Sequence, residues 1–266
     1  GFDVRAPAVL AWCDDASVIG RSFLVQEFID GRALTNTLPD RYPDTIETVN
    51  RLGTDLIDQL AVLHKVPTDL PALAKLGRPE RFLERQIERW LSVRREHCVR
   101  DLPALFALGE WLGAHVPEAG APAVIHGDYH LDNTLASPDE PAILAIIDWE
   151  LATVGDPYMD VALMLMFWGE YRTQQPPAFK ALQSVSRRSG VISRRELAGR
   201  WAEAVGRPLH HMNFYMALAF WRLAAIIEGA HGLYLAGQLD TDYARGLEYD
   251  VPALLAEAER AAGGDW

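Results

Sequence analysis

Apolar positions along the chain fall into a few short β-rich runs and several long stretches of helical period. Phe23-Leu24-Val25-Gln26-Glu27-Phe28-Ile29 is a β-rich run closed by Asp30-Gly31, which predicts a strand followed by a turn. The segment before it, up to Ala11 and Trp12, is short and broken. From Thr45 to His64, Leu52, Leu56, Leu60 and Leu63 recur at helical spacing, and Pro67 ends the pattern. Helices are also predicted from Pro79 to about Cys98 and from Pro103 to about His115. Two β-like runs follow, Ala123 to Ile125 and Ile143 to Trp149, read as a hairpin whose loop holds His126 to Asn133. Beyond Asp156-Pro157 the pattern is helical to the end: Tyr158 to Tyr171, Ala178 to about Arg188, Ser193 to Val205, His210 to about Leu235, and Thr241 to Ala262. Ser189-Gly190, Gly206-Arg207-Pro208 and Gly237 separate them.

No internal repeat or low-complexity linker divides the chain. The expectation is an α+β protein in which residues 31–266 form a helical lobe carrying the hairpin and residues 1–30 form a smaller piece ahead of it. With 266 residues and 49% hydrophobic content, such a chain can bury a large core. The longest apolar runs, Val161 to Trp168 and Met216 to Ile227, fall short of the roughly 20 residues that cross a bilayer, and the second contains Arg222. No membrane association is expected. The N-terminus lacks the features of a secretory signal, so a cytoplasmic location is the default. The two cysteines, Cys13 and Cys98, lie far apart and read as isolated buried thiols. A net charge of −12 with scattered basic residues argues against nucleic acid as a partner. It is compatible with a nucleotide, because a divalent ion held by carboxylates bridges protein and phosphates. Nothing in the sequence indicates an oligomeric state.

The densest polar cluster is Val124-Ile125-His126-Gly127-Asp128-Tyr129-His130-Leu131-Asp132-Asn133, followed by Ile146-Ile147-Asp148-Trp149-Glu150. His126-Gly127-Asp128 and Asn133 repeat the spacing of a kinase catalytic loop, in which the Asp takes the substrate proton and the Asn holds magnesium. Asp148, at the end of an apolar strand, is suitably placed as a second metal carboxylate. Phosphoryl transfer needs positioning and charge neutralisation rather than covalent work by the protein. Asp128 suits the base, and Asn133 and Asp148 supply the hard oxygen atoms that magnesium prefers.

His-Gly-Asp-Tyr-His-Leu-Asp-Asn, followed by Ile-Asp-Trp-Glu-Leu-Ala-Thr-Val-Gly-Asp-Pro-Tyr-Met-Asp-Val-Ala, resembles the signature of the aminoglycoside phosphotransferase family. The resemblance implies a protein-kinase-like fold and ATP- or GTP-dependent phosphorylation of a small hydroxylated molecule, with Mg2+ as cofactor ion. It implies that Asp128 is the base, that Asn133 and Asp148 are magnesium ligands, and that His126 is structural. It further implies that Asp160 braces the loop and that Gln26, Glu27, Phe28 and Ile29 form a hinge whose backbone pairs with the nucleotide base. Ser17-Val18-Ile19-Gly20-Arg21-Ser22-Phe23 and the helix Phe214 to Gly229 are similar to the branch fused to, or encoded near, acyl-CoA dehydrogenases. For that branch the implied acceptor is a hydroxyacyl-CoA or a related metabolite.

The chain departs from the family ahead of the hinge. No Gly-x-Gly-x-x-Gly or Walker A pattern occurs, and the lysines, Lys65, Lys75 and Lys180, all follow the hinge. It reads as a member lacking most of its N-terminal lobe, with weak or absent catalysis expected of this chain alone. His130, Asp132, Trp149 and Glu150 either face substrate or hold the loop. Arg222 and Glu228, in an apolar helix, read more readily as an internal ion pair than as a substrate-anion contact by Arg222. Two other readings stand beside the kinase. His126-x-Asp128-x-His130 with Asp148 would describe a metal-dependent hydrolase, and the departures suit a non-catalytic nucleotide-binding or scaffolding protein.

Overall fold

Three of the long helices begin at hydroxyl caps written in the sequence. In a computed structural model that describes residues 2–173 and 184–266, the Thr45 hydroxyl accepts from the Thr48 N–H and opens helix α2, Ile46–His64. Ser193 opens α6, Arg194–Val205, through a reciprocal capping box with Glu196. Thr241 opens α8, Asp242–Ala262, by accepting from the Ala244 N–H. Each cap satisfies an N–H that the first helical turn would otherwise leave unpaired.

Helices α5, Tyr158–Phe167, and α7, Met212–Leu235, carry almost no polar face, and for that reason they are central. Every side chain from Met159 to Met166 is buried. Around α5 and α7 pack α2, α3 (Phe82–His97), α4 (Pro103–Ala114), α6 and α8, with α8 making the most extensive contact along α7. The Trp221 indole, fully buried, donates to the Leu105 carbonyl at 2.7 Å and ties α7 to α4.

Strands occur in three antiparallel pairs. β1, Val9–Cys13, and β2, Phe23–Gln26, pair across a single-turn helix α1, Ala16–Ile19. β3, Ala123–Ile125, pairs with β6, Thr153–Gly155, and β4, Thr134–Ala136, pairs with β5, Ile143–Ile146. The class and kinase-like architecture expected from sequence hold, but the local pairing differs. The two predicted strands do not pair with each other; each finds a partner of three residues, too short to show a period of two. The hinge strand ends at Gln26, and the fifth strand at Ile146.

Other boundaries also shift. Helix α5 stops at Phe167, short of the expected Tyr171, because Trp168 turns extended and Gly169 takes a left-handed conformation, with the Trp168 indole donating to the Ile192 carbonyl. The helix expected from Ala178 falls mainly outside the described residues, and its described end, Ser184 to Arg188, is not helical. Cys13 and Cys98 are partly exposed rather than buried. The N-terminal segment is pinned to the helical body by Arg5, whose carbonyl accepts from the Ile146 N–H and whose guanidinium lies 3.0 Å from the Asp55 carboxylate. Among the described residues no helix is long and apolar enough to cross a membrane.

Glu228 is fully buried on α7, but its partner is Arg100, whose Nη2 and Nε donate to Glu228 Oε2 at 2.7 and 2.9 Å. The expected pairing of Glu228 with Arg222 is therefore replaced. Six residues, about one turn and two thirds, separate the two on α7, so they project to different sides. Replacing Arg100 by Ala strands a carboxylate in the core, and a destabilisation of about 3–5 kcal/mol is expected; denaturant unfolding of the variant against the parent chain measures it.

Candidate active site

The catalytic-type loop starts where β3 ends, and its backbone is held from below by one side chain. Asp160, in the first turn of α5 and 1% exposed, accepts the His126 N–H on Oδ2 at 2.6 Å and the Gly127 N–H on Oδ1 at 2.9 Å. His64 Nε2, at the end of α2, lies 3.4 Å from the same Oδ2. The Trp201 indole donates to His64 Nδ1 at 3.0 Å, so a neutral His64 carries its proton on Nε2, facing Asp160. A chain of three side chains from α6, α2 and α5 thus fixes two successive amides of the loop.

Gly127 is required where it stands. Its φ of +83° suits glycine, and a Cβ there would lie 2.4 Å from the Leu151 carbonyl oxygen. Next to it, His126 is buried with both ring nitrogens engaged. Nδ1 accepts from the Asp128 N–H at 3.3 Å, and Nε2 lies 2.8 Å from the Ile147 carbonyl. The imidazole therefore braces the loop, and the Trp149 ring leans on it at 4.8 Å while its indole donates to the Ile146 carbonyl. Through these two contacts Trp149 helps to hold the loop. Glu150 is exposed in the turn Trp149–Leu151.

Asp128 and Asn133 meet directly. The Asn133 Nδ2 donates to the Asp128 carbonyl at 2.8 Å and to its Oδ2 at 2.9 Å. Both bonds fix the amide so that Oδ1 points away from Asp128. The Asn133 carbonyl accepts from the Ile147 N–H at 2.9 Å, an extension of the β4–β5 ladder that brings Asp148 alongside Asn133. Asp148 has a left-handed backbone, φ 64° and ψ 58°, a conformation that costs a non-glycine residue about 1–3 kcal/mol and that Asp tolerates better than most. Its carboxylate is exposed and makes no hydrogen bond or ion pair among the described residues.

Burial pushes the Asp128 carboxyl up. The neighbouring His130, the Asn133 amide and the Arg222 charge outweigh it, and the net position is below the usual carboxylate value. His130 Nε2 lies 3.6 Å from Asp128 Oδ2 and 3.3 Å from Asn133 Nδ2, with its ring 4.8 Å from Phe167. Asp132 sits in the short turn Leu131–Asn133 with Oδ1 buried. The Arg222 guanidinium approaches the loop from α7, its Nη1 3.4 Å from the Gly127 carbonyl. At the hinge, the Glu27 N–H donates to the Ala8 carbonyl at 2.8 Å, Glu27 Oε2 accepts from the Ala8 N–H, Phe28 is 87% exposed, and the Ile29 carbonyl accepts from the Gly31 N–H. Just beyond, Arg32 pairs with Ala136, which joins the hinge segment to the strand leaving Asn133.

The hydrolase arrangement is not formed. Both His126 nitrogens are committed to backbone, and among the described residues no group of three or more His, Cys, Asp or Glu is placed to hold a metal ion. The pair that fits magnesium is smaller: the Asn133 amide oxygen and the Asp148 carboxylate are both hard donors, a number suited to an ion that takes its remaining oxygens from phosphates and water. Sequence reasoning missed His64 and Trp201, which stand behind Asp160, and also Arg89. His64 shows in the pattern only as the last residue of a helix, and nothing in its spacing marks it as a site residue.

The sequence profile of the phosphotransferase enzyme family matches residues 1–200. Acyl-CoA dehydrogenase family member 10 of Mus musculus is 31% identical over 239 residues, which are 88% of this chain and 22% of that protein. Acyl-CoA dehydrogenase family member 11 of Homo sapiens is 32% identical over 241 residues, 89% of this chain and 30% of that one. The chain thus spans under a third of the length of these curated relatives. A crystal structure from Ralstonia eutropha, of a protein provisionally named an aminoglycoside phosphotransferase, superposes with a TM-score of 0.83 at 30% identity, covering 99% of this chain and 80% of that one. An aminoglycoside phosphotransferase solved with GDP and kanamycin shares the fold at a TM-score of 0.59 and 15% identity, covering 99% of this chain and 78% of that one. With the loop bracketed by Asp160 and the profile matched over three quarters of its length, the chain belongs to the phosphotransferase enzyme family.

Proposed function

We propose that the chain binds a nucleoside triphosphate, ATP or GTP, and transfers its γ-phosphoryl group to the hydroxyl of a small molecule. The observation that carries this reading is the pairing of Asp128 with Asn133, next to the strand end that carries Asp148. One amide group is bonded to the backbone and carboxylate of Asp128, while its own backbone is laddered to the residue preceding Asp148. In the reaction the acceptor oxygen forms a bond to the γ-phosphorus, the bond from phosphorus to the bridging oxygen breaks, and the nucleoside diphosphate departs. Asp128 orients the acceptor hydroxyl and takes its proton. A lowered pKa keeps it a carboxylate at neutral pH, ready to accept.

A magnesium ion held by the Asn133 amide oxygen and the Asp148 carboxylate would offset the charge of the nucleotide phosphates there. Asp160 and His64 act through the backbone, holding the His126 and Gly127 amides so that Asp128 cannot drift. The segment Gln26, Glu27, Phe28 and Ile29 takes the nucleotide base along its backbone. Hydroxyacyl-CoAs and the corresponding free hydroxy acids are the first acceptors to screen, because the curated relatives bear acyl-CoA dehydrogenase names. A non-catalytic nucleotide-binding role is the competing reading, and loss of the base separates the two.

Replacing Asp128 by Asn is expected to lower phosphoryl transfer by about 10²–10⁴-fold while leaving calorimetric nucleotide affinity unchanged; equal transfer by the variant would remove Asp128 from its role. Replacing Asp148 by Ala should abolish the magnesium dependence of nucleotide binding, read in the same titration with and without the ion. The pH profile supplies a third expectation. Because the Asp128 pKa is depressed, the carboxylate persists as pH falls, and the acid limb of kcat/KM should lie below the ordinary carboxylate value. In His130→Ala two of the lowering influences are gone, so burial weighs more and the limb should move to higher pH.

A further inference from the structure

A cavity of about 150 Å³ opens beside the candidate base, distinct from the Asn133 and Asp148 pair. Gln86 and Arg89 of α3, Arg222 of α7, Gly127, Asp160 and Thr153, whose hydroxyl is already bonded to the Leu76 carbonyl, supply its polar wall, and apolar side chains the rest. Of the two guanidiniums, Arg222 is the unusual one: Arg89 is exposed at the rim, 5.4 Å from the Trp90 ring, whereas Arg222 reaches inward. The chain has 37 acidic against 25 basic residues, so carboxylate partners are plentiful. Yet neither Arg89 nor Arg222 forms an ion pair among the described residues. Arg222 Nε is buried with no acceptor, and its Nη1 makes only the long 3.4 Å contact to the Gly127 carbonyl. A buried donor left unmet in this way is destabilising, and an acceptor arriving from outside would relieve it. The one carboxylate in the wall, Asp160, is already occupied by the His126 and Gly127 amides and by His64. Arg222 from within and Arg89 from the rim therefore face a cavity whose one wall carboxylate is engaged, with Asp128 the next negative group near Arg222. Its wall includes Gly127, the residue immediately before Asp128, so a group lodged there lies a short chain from the point of proton transfer.

We propose that this cavity receives an oxyanion carried by the phosphoryl acceptor, so that the substrate class is hydroxylated acids. The inference rests on the phosphotransferase reading. Arg222 and Arg89 pair with the anion, Gln86 donates to it, and the apolar wall excludes uncharged polar analogues that leave the guanidiniums unpaired. A carboxylate matches the planar fork of an arginine.

The test titrates the 266-residue chain, saturated with magnesium and a non-hydrolysable ATP analogue, with 3-hydroxypropanoate, with its primary amide and with inorganic phosphate, by calorimetry or by chemical-shift perturbation. The expected result is binding of the hydroxy acid at least tenfold tighter than the amide, lost in Arg222→Gln. Arg89→Gln, on another helix, repeats the test should the first variant fail to fold. Equal affinity for acid and amide, or binding of neither, overturns the proposal. So does phosphate binding that survives in both variants while the hydroxy acid is ignored, which would assign the cavity to a free anion. The phosphotransferase reading fails separately, through absent magnesium-dependent nucleotide binding, so the two failures are told apart in one experiment.

Discussion

A single carboxylate organises the site. Asp160 lies in the first turn of a buried helix, where acidic side chains are favoured by the unpaired amides of the helix end, and it reaches across to two amides of a loop more than thirty residues earlier. Because it is buried, its bonds are not shared with water and hold the loop with fixed geometry. Around it the rest falls into place: Gly127 passes close to Leu151 because its own N–H is held, His126 is clamped between two backbone groups, and Asp128 is presented at the rim. Removal of this one interaction would release the backbone that presents His126, Gly127 and Asp128.

Much of the helical framework was legible in the sequence, for reasons that are local. Thr45, Ser193 and Thr241 cap because a hydroxyl beside a run of helical period has one good use, and the all-apolar character of Val161 to Trp168 and Met216 to Ile227 announces burial on every side. The site motif was equally local, since His126, Asp128, Asn133 and Asp148 fall within one short stretch of chain. The bracing role of Asp160 was legible only through family resemblance, because nothing local ties it to residues 126 and 127.

What stayed hidden depends on contacts between distant segments. Strands of three residues such as Thr134–Ala136 and Thr153–Gly155 exist because a ladder partner arrives, and their side chains alone show no period. His64 and Trp201 become one hydrogen-bonded pair only when α2 and α6 pack together. Arg89 belongs to a helix rich in alternating charge, where a solvated arginine is the ordinary expectation, and its place in a cavity wall appears only after α3 and α7 are brought side by side. The misplaced partner of Glu228 has the same origin: proximity along α7 suggested Arg222, while the group that reaches it, Arg100, comes from the connection between α3 and α4.

The division of the strands into separate ladders has a mechanical consequence. Asp128 follows β3, which is laddered to β6, whereas Asp148 follows β5, which is laddered to β4. The two carboxylates are thus mounted on different platforms, bridged by Asn133, which bonds to Asp128 and is strung from Ile147, and by His126, whose Nε2 meets the Ile147 carbonyl. Sliding one platform against the other changes the gap between the carboxylates without disturbing either ladder's internal pairing. The spacing of the two carboxylates is therefore set by the residues between the ladders as much as by Asp128 and Asp148 themselves.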